Sequence, residues 1–497
     1  MKRKEKLIFF IFFFIVFVFL FFISLNWQSF EWDEGVSYAS SLAIFNGENK
    51  LTADVIPQYL FSLFLLIGDS FLIAPIINSL VLFISCLVLF SIIMILTKKQ
   101  IISYLCVLLY LSYPFVIDLI SWRPYHIFIL FYLFSILFFI KFIIHNRLKD
   151  LILISVFLSL SFYSKNLSII FIIPILIFLV YVSIKRKEFF KLIKYCIIPL
   201  IIFLSPIIII RLFIVDFNFL DALFVTDFNN LWIVKYSEIY SHHINNIFDQ
   251  RQGTILQFIY AGFGIVPMIL LILYNFFRVS YKSRLEKLLF GINFLIFILF
   301  ILFLYRGSPF HQRYLMLIII PIIIEFGIAL KNLFNQTKSS HIIYLIVSIL
   351  SILSILSIIS IIGETLNPEG DYIKDMGQIN NIIRNPEDKI IGSTPALQFY
   401  IRNRIINPTR DLTEEEAKIY YSWNLIELNK IFEEQNINWI ILRKSRYWEV
   451  TAILWIEEAF DIHLNHYDSL RDLEQNYLIY DGEVLSLYKI TKNETTN

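Results

Sequence analysis

The sequence is poor in cysteine and in charge. Its three cysteines, Cys86, Cys106 and Cys196, all lie inside apolar runs. They cannot form the disulfide framework of a small secreted protein, and we expect them to be buried as small apolar side chains. Charged residues make up 16% of the chain and the formal net charge is +2. This near-neutral balance gives no support for a nucleic-acid partner.

A signal-peptide cleavage site is also missing. Residues 1–6 are basic and residues 7–25 are almost wholly apolar, which is longer than the usual core of a signal peptide. The residues that follow, Asn26-Trp27-Gln28, are polar and bulky, whereas cleavage sites have small residues. We expect an uncleaved first membrane span.

What the chain has in abundance is apolar sequence. Hydrophobic residues make up 58% of it and the mean hydropathy is +0.71, which is typical of a protein embedded in a bilayer. We therefore expect membrane lipids to be among its partners. A spanning helix needs about 20 apolar residues. Eleven stretches are candidates, at 7–25, 71–96, 101–119, 125–144, 151–163, 167–184, 195–214, 254–277, 288–305, 314–330 and 342–362. The segment from Asp54 to Ile67 is shorter and contains Pro57 and Gln58, so it is expected to be an interfacial or re-entrant helix.

The basic residues predict the orientation, because lysine and arginine are retained on the cytoplasmic side. With the N-terminus inside, the inner connections carry 20 lysines and arginines and the outer connections carry 8. The inner connections are 1–6, 97–100, 141–150, 185–194, 278–287 and 331–340. We therefore predict a multi-pass protein of the plasma or inner membrane, with a cytoplasmic N-terminus and an extracytoplasmic C-terminal region.

The chain changes character at Gly363, where polar residues increase and apolar runs shorten to strand length. Residues 1–362 are predicted to form an all-α membrane domain of about eleven spans, with its first outer loop at 27–54. Residues 363–497 are predicted to form a small extracytoplasmic α/β domain. Its expected elements are strands at Lys389–Gly392, Trp439–Leu442 and Val484–Ile490 and a helix at Trp423–Glu434.

Acidic and basic side chains are expected to collect on the outer face. The outer connections contain Glu31, Asp33, Glu34, Asp54, Asp118, Arg123, Tyr125, His126, Lys165, Arg306, His311, Arg313 and Tyr314. Carboxylates beside cations suit a reaction in which an acceptor hydroxyl displaces a lipid phosphate from the anomeric carbon of a sugar. The cations stabilise the phosphate that leaves, and a carboxylate accepts the hydroxyl proton. Anion transporters also collect cations near the membrane.

The order of these elements resembles the polyprenyl-phosphate-sugar-dependent membrane glycosyltransferases, a superfamily with the GT-C fold that includes protein O-mannosyltransferases and aminoarabinose transferases. Four stretches carry the resemblance: Trp32-Asp33-Glu34-Gly35-Val36-Ser37-Tyr38-Ala39, Pro57 to Ser70, Ser121-Trp122-Arg123-Pro124-Tyr125, and Gln312-Arg313-Tyr314-Leu315 with Pro321. The chain departs from many relatives at Asp54-Val55-Ile56-Pro57, where they have a histidine-proline pair, and at Ala74-Pro75, where they have an arginine.

The resemblance implies a hexosyl or pentosyl transfer, with inversion, from a polyprenyl-phosphate-linked sugar to an extracytoplasmic glycan, lipid or protein. It makes Asp33 the catalytic base, with Glu34 orienting it or contributing to a site for a divalent metal ion. Arg123, Lys165 and Arg313 would bind the donor phosphate. Further substrate contacts would come from Asp54, Tyr125, His311 and Tyr314.

Each of these residues also has a simpler interpretation. Asp33 and Glu34 would be a loop that caps the following helix. Arg123 and Arg313 would anchor at the interface with Tyr125 and Tyr314, Lys165 would extend its ammonium to the interface, and His311 would be solvated. The pair His242-His243, near Asp227 and Asp249, is expected to be a plain loop rather than a metal site. Glu325, inside the tenth span, is either functional or paired with a neighbouring helix.

Two other functions fit parts of the pattern. A flippase or transporter for an anionic lipid or solute would use the same cations along a path, and it predicts charges spread through the membrane depth. A scaffold would bind a partner through residues 363–497 without any sugar donor.

Overall fold

The structure, a computed structural model, describes about three fifths of the sequence, and every structural statement below concerns that part. The described residues are 3–26, 41, 44–45, 55–66, 72–113, 116–117, 120, 124–205, 265–279, 283–305, 315–336, 340–366, 372–385, 387–392, 405–406, 425–443, 478–482 and 485–490.

Helices account for nearly all described residues up to Leu366. They are α1 (Arg3–Leu25), α2 (Val55–Leu65), α3 (Ile73–Thr97), α4 (Gln100–Leu111), α5 (Tyr125–His145), α6 (Leu148–Ser164), α7 (Ile169–Lys185), α8 (Phe189–Leu192), α9 (Ile265–Tyr274), α10 (Arg284–Tyr305), α11 (Met316–Gln336) and α12 (Ser340–Leu366). A 3₁₀ turn at Asn166–Ser168 precedes α7, and wider π turns at Ile193–Ile197 and Asn275–Val279 follow α8 and α9.

Five of the described helices, α1, α3, α5, α10 and α11, are long and apolar enough to cross a membrane. Each of the eleven predicted stretches contains helix, but α4, α6 and α7 are shorter than a full span, so eleven spans remain a prediction. The expected span at 101–119 is corrected: α4 ends at Leu111, three residues before Pro114. Proline disfavours helical backbone at the residue before it and cannot donate to the preceding turn.

Two pairs of helices, α1 with α3 and α5 with α6, pack as antiparallel neighbours. The rings of Phe9 in α1 and Phe90 in α3 are 5.2 Å apart, while at the other ends of these helices Ser79 Oγ donates to the Leu20 carbonyl at 3.1 Å. In the next pair, Ser161 Oγ near the end of α6 donates to the Phe128 carbonyl near the start of α5 at 3.1 Å. The core between the helices is apolar and aromatic, and all three cysteines are free and buried in it, as expected from the sequence.

Connections predicted to be cytoplasmic lie at one end of this helical unit. The ring of Phe12, in the first half of α1, is 4.8 Å from that of Tyr104, near the start of α4. Lys331 Nζ, near the end of α11, donates to the Leu96 carbonyl at the end of α3 and forms an ion pair with Glu286 at the start of α10, both at 2.8 Å.

The remaining inner connections join the same end. Arg186, after α7, donates to the Ile143 carbonyl at 2.7 Å and to Asn146 Oδ1 at 3.0 Å, and Asn146 donates to Glu188 Oε1 at 3.0 Å. Hydrogen bonds from the Asn146 amide and the Lys191 ammonium hold the pKa of the Glu188 carboxyl below its ordinary value.

One glycine–aromatic contact links these two sets of connections. Gly291 lies against the ring of Phe178, so the first half of α10 packs against the second half of α7. We call this end of the helical unit the inner end. The opposite end is the outer end.

A second compact unit contains the described residues beyond Leu366. Five strands form a mixed sheet in the order β2-β1-β3-β5-β4, with β1 parallel to β2 and β3, and β5 antiparallel to β3 and β4. The strands are β1 (Lys389–Gly392), β2 (Ile405–Ile406), β3 (Ile437–Arg443), β4 (Leu478–Asp481) and β5 (Leu485–Lys489), and the helices are α13 (Tyr372–Ile382) and α14 (Leu425–Glu434). Three expected strands and one expected helix are found, whereas β2, β4 and α13 were not predicted.

A buried carboxylate connects α13 to the β4–β5 hairpin. Asp375 is fully buried, and its two oxygens accept hydrogen bonds from the Tyr480 hydroxyl at 2.7 Å and the Leu485 amide at 3.0 Å. Gly482 lies so close to this carboxylate that there is no room for a Cβ atom.

Candidate functional site

The structure describes two of the nine predicted site residues, Lys165 and Tyr125. The other seven lie outside the described residues: Asp33, Glu34, Asp54, Arg123, His311, Arg313 and Tyr314. Their assignments therefore remain predictions from the sequence.

Lys165 lies at the outer end, directly after α6. Its backbone is extended, with φ −159° and ψ 129°, and its amide donates to the Ser161 carbonyl at 3.0 Å. The Lys165 carbonyl then accepts from the Ser168 amide at 3.0 Å, closing the 3₁₀ turn that starts α7. The backbone between two helices is thus fixed by hydrogen bonds at both sides of Lys165. A side chain that starts from such a fixed position is suited to hold a ligand in one place.

Tyr125 opens α5, and Pro124 before it adopts helical backbone angles. Proline is favoured at the start of a helix, because the first amide has no partner within the helix. The Tyr125 ring is 4% exposed and lies 5.8 Å from the Phe128 ring one turn later. The aromatic ring is therefore held rigidly at the N-terminus of a 21-residue helix.

The structure brings these two residues together although 40 positions separate them. Lys165 Nζ lies 5.6 Å from the centre of the Tyr125 ring, within the range of a cation–π contact. Lys165 is only 8% exposed, which differs from a lysine that extends along an apolar surface to reach solvent. An ammonium beside a helix N-terminus produces a positive potential, and such a place attracts an anion.

His126 is a buried residue next to this pair, and the sequence reasoning gave it no role. It is fully buried in the first turn of α5. The sequence position of His126 could have marked it as a candidate, because an ionisable residue at the start of an apolar helix is costly to bury and is often functional.

Helix α2 packs against α6, the helix that ends just before Lys165, and against α3. Its polar residues Gln58 and Ser62 are 7% and 6% exposed. At 11 residues α2 is too short to span a bilayer, in agreement with the expected interfacial or re-entrant helix. The chain between α1 and α3 therefore contributes a helix that contacts α6.

No group of three or more histidine, cysteine, aspartate or glutamate side chains converges within the described part of the chain. Carboxylates are the ligands that hard divalent cations prefer, and the five acidic residues of the first outer loop, Glu31, Asp33, Glu34, Glu48 and Asp54, lie outside that part.

The helical unit, with its buried lysine at one end, defines a mostly helical integral membrane protein. Comparisons with known proteins identify the class. The sequence profile of the dolichyl-phosphate-mannose-protein mannosyltransferases matches residues 55–210, the segment that contains Tyr125 and Lys165. A sequence comparison with functionally characterised proteins found no match.

The fold is similar to that of solved GT-C structures. ArnT from Cupriavidus metallidurans, bound to undecaprenyl phosphate, superposes with a TM-score of 0.61 at 10% identity, covering 99% of both chains. The oligosaccharyltransferase of Archaeoglobus fulgidus in complex with Zn and sulfate gives a TM-score of 0.57 at 12% identity, over 93% of this chain and 71% of that one. The same enzyme, AglB, in complex with an inhibitory peptide and a dolichol-phosphate, gives a TM-score of 0.55 at 12% identity, over 90% and 72%.

The resemblance to polyprenyl-phosphate-sugar-dependent membrane glycosyltransferases is confirmed by these findings. The protein has the GT-C fold, and its residues 55–210 are similar to the dolichyl-phosphate-mannose-protein mannosyltransferases.

Proposed function

We propose that the protein is an inverting glycosyltransferase that moves one monosaccharide from a polyprenyl phosphate to an extracytoplasmic acceptor. The observation that carries this proposal is the contact between Lys165 and Tyr125 at the N-terminus of α5. It joins a residue predicted to bind the donor phosphate to a residue predicted to contact substrate, within the segment that the mannosyltransferase profile matches. Two similar structures were solved with a lipid phosphate bound, undecaprenyl phosphate and dolichol-phosphate.

The reaction is a direct displacement at the anomeric carbon. The acceptor oxygen forms a bond to that carbon while the bond from the carbon to the phosphate oxygen breaks, and the bonding electron pair leaves with the phosphate. Asp33 takes the proton of the acceptor hydroxyl. Lys165, with Arg123 and Arg313, stabilises the negative charge that develops on the leaving phosphate. The Tyr125 ring positions the Lys165 ammonium for this contact.

A divalent cation would be held by carboxylates, and Glu34 of the first outer loop would contribute one of them. Such an ion would supply additional positive charge at the phosphate. One similar structure, the Archaeoglobus fulgidus oligosaccharyltransferase, was determined in complex with Zn and sulfate.

The proposed topology assigns the inner end to the cytoplasm and the Lys165 end to the extracytoplasmic side. Its support is that the basic connections predicted to be cytoplasmic collect at one end of the described helices, while Lys165 and Tyr125 lie at the other. In the same proposal residues 1–362 form the catalytic membrane domain, and residues 363–497 form an extracytoplasmic domain.

A transporter or flippase receives less support. It requires charged groups that line a path through the membrane. Glu325, the ionisable residue deepest in a span, is 4% exposed and accepts a hydrogen bond from Asn293 at 2.8 Å. This is the arrangement of a paired structural residue.

Replacing Asp33 by asparagine tests the proposal directly. Asparagine preserves size but cannot accept the hydroxyl proton, so sugar transfer from a defined lipid-linked donor should fall by at least about 10²-fold. Retention of lipid-phosphate binding by the variant is the control for folding. Full transfer activity in Asp33→Asn would remove Asp33 from the base role.

A further inference from the structure

Buried polar side chains follow one line between α9, α10 and α11, an unusual feature in helices that are otherwise apolar. We call this set the polar seam, and its members are 1–5% exposed: Asn275, Glu286, Asn293, Glu325 and Asn332. On both α10 and α11 its two members are seven residues apart. Seven residues are close to two helical turns, so both members lie on the same helix face.

Each member is hydrogen-bonded across a helix interface. Asn293 Nδ2 donates to Glu325 Oε1 at 2.8 Å and joins α10 to α11. Asn332 Nδ2 donates to Asn275 Oδ1 at 3.1 Å and joins α11 to the turn after α9. Glu286 completes the seam at the inner end through its ion pair with Lys331.

The Asn293–Glu325 pair lies at the middle of its helices. Asn293 is the tenth residue of 22 in α10, and Glu325 is the tenth of 21 in α11. An unpaired amide or carboxyl at this depth is costly, because lipid tails cannot form hydrogen bonds. Sliding α10 along α11 by one residue would break this hydrogen bond. Apolar side chains provide no comparable penalty, since lipid is as apolar as a neighbouring helix.

The register of these two helices has a consequence at the outer end. α10 ends at Tyr305 and α11 begins at Met316. The connection between them contains Arg313, to which the proposed function assigns the donor phosphate. A slip of one residue shifts a helix end by about 1.5 Å and rotates it by about 100°. A misplacement of about 1 Å in a group that holds a substrate costs up to about 10²-fold in rate.

We propose that Asn293 and Glu325 are positioning residues for the donor site. Their hydrogen bond sets the register of α10 against α11 and thereby the relative positions of Tyr305 and Met316, the two helix ends between which Arg313 lies in the sequence. This inference rests on the proposed function.

The test measures binding of undecaprenyl phosphate to the full-length protein in detergent, together with the KM for the lipid-linked donor. Asn293→Leu and Glu325→Leu remove the hydrogen bond, and we expect each to weaken carrier binding and raise the donor KM by about tenfold or more. Glu325→Gln keeps the acceptor oxygen and should stay within about twofold of the wild type. The matched control is Asn332→Leu, which removes a buried amide contact between α11 and the turn after α9, and should also stay within about twofold.

A double variant separates positioning from folding. Each single leucine leaves one buried polar group without its partner, which lowers stability. Asn293→Leu with Glu325→Leu replaces both partners by apolar groups, so the protein should melt at a higher temperature than either single variant. The carrier affinity should nevertheless remain about tenfold weaker, because two leucines do not specify the register.

Three results would overturn the inference: wild-type carrier affinity in the double variant, equal damage by Glu325→Gln and Glu325→Leu, or equal damage by Asn332→Leu. If the wild type transfers sugar and any of these results is found, the proposed function stands and the positioning role of Asn293 and Glu325 is refuted. The predicted pattern of carrier binding without any sugar transfer refutes the proposed function alone. A wild-type protein that does not bind undecaprenyl phosphate refutes both.

Discussion

At the scale of single residues, the most informative side chain is Lys165. The family resemblance assigns Lys165 to the donor phosphate, but its place at the end of a short apolar run would equally fit an ordinary interfacial residue. In the fold it is 8% exposed and lies over the Tyr125 ring. A lysine with a hydration shell largely removed interacts more strongly with a phosphate than one in water, because the local dielectric constant is lower.

Substitutions at this pair separate charge from packing. Lys165→Ala should lower kcat/KM for the lipid-linked donor by about 10²–10³-fold, the usual effect of removing a group that stabilises transition-state charge. Tyr125→Phe keeps the ring under the ammonium and should retain most activity, whereas Tyr125→Leu removes the cation–π contact and should reduce it by about 3–30-fold. Steady-state kinetics with one defined donor measures all three variants. Equal activity of Tyr125→Leu and Tyr125→Phe would contradict the positioning role of the ring.

At the scale of elements, the sequence predicted those whose pattern is strong within one short segment. β1 and β3 were expected because runs such as Lys389-Ile390-Ile391-Gly392 combine β-branched residues with a bounding glycine. β2 has two residues, too few to produce a pattern. The segment of α13, Tyr372–Ile382, is polar and contains Gly377, so its helical tendency is weak without tertiary contacts. One such contact is the buried carboxylate of Asp375.

Two glycines in this second unit should respond in opposite directions to alanine. In Gly482→Ala the new Cβ overlaps the Asp375 carboxylate, which two hydrogen bonds hold in place, so the unit should lose about 1–3 kcal/mol. Gly377 is exposed within α13 and has nothing near its Cβ direction, so Gly377→Ala should add about 0.5–1 kcal/mol. Hydrogen exchange of the β3 and β5 amides in the full-length protein measures both. Unchanged exchange in Gly482→Ala would show that the carboxylate is free to move.

The helices of the first unit were also only partly predictable from the sequence. Apolar length predicted where helices occur, and Pro114 accounts for the early end of α4. Sequence alone could not show that Asn293 and Glu325 pair, because each has several polar candidates within the membrane and the partner depends on which helices are adjacent. The contact of Lys165 with Tyr125 likewise required the antiparallel packing of α5 and α6.

At the scale of the whole molecule, two asymmetries describe the helical unit. Basic connections collect at the inner end, and a buried lysine beside a helix N-terminus lies at the outer end. Positive residues at the inner end are the ordinary result of membrane insertion. In the proposed topology the lysine at the outer end opposes that tendency, which favours a functional role for it. In the proposed function it binds the phosphate of the lipid carrier.

The central claim, that the protein consumes a lipid-linked monosaccharide, is tested most directly by the mass spectrum of polyprenyl lipids in cells that lack it. We predict that one polyprenyl phosphate carrying a single sugar accumulates, and that its mass identifies the donor. Restoring the wild-type chain should remove this lipid, whereas restoring Asp33→Asn should not. An unchanged pool of lipid-linked sugars in the cells without the protein would contradict the account.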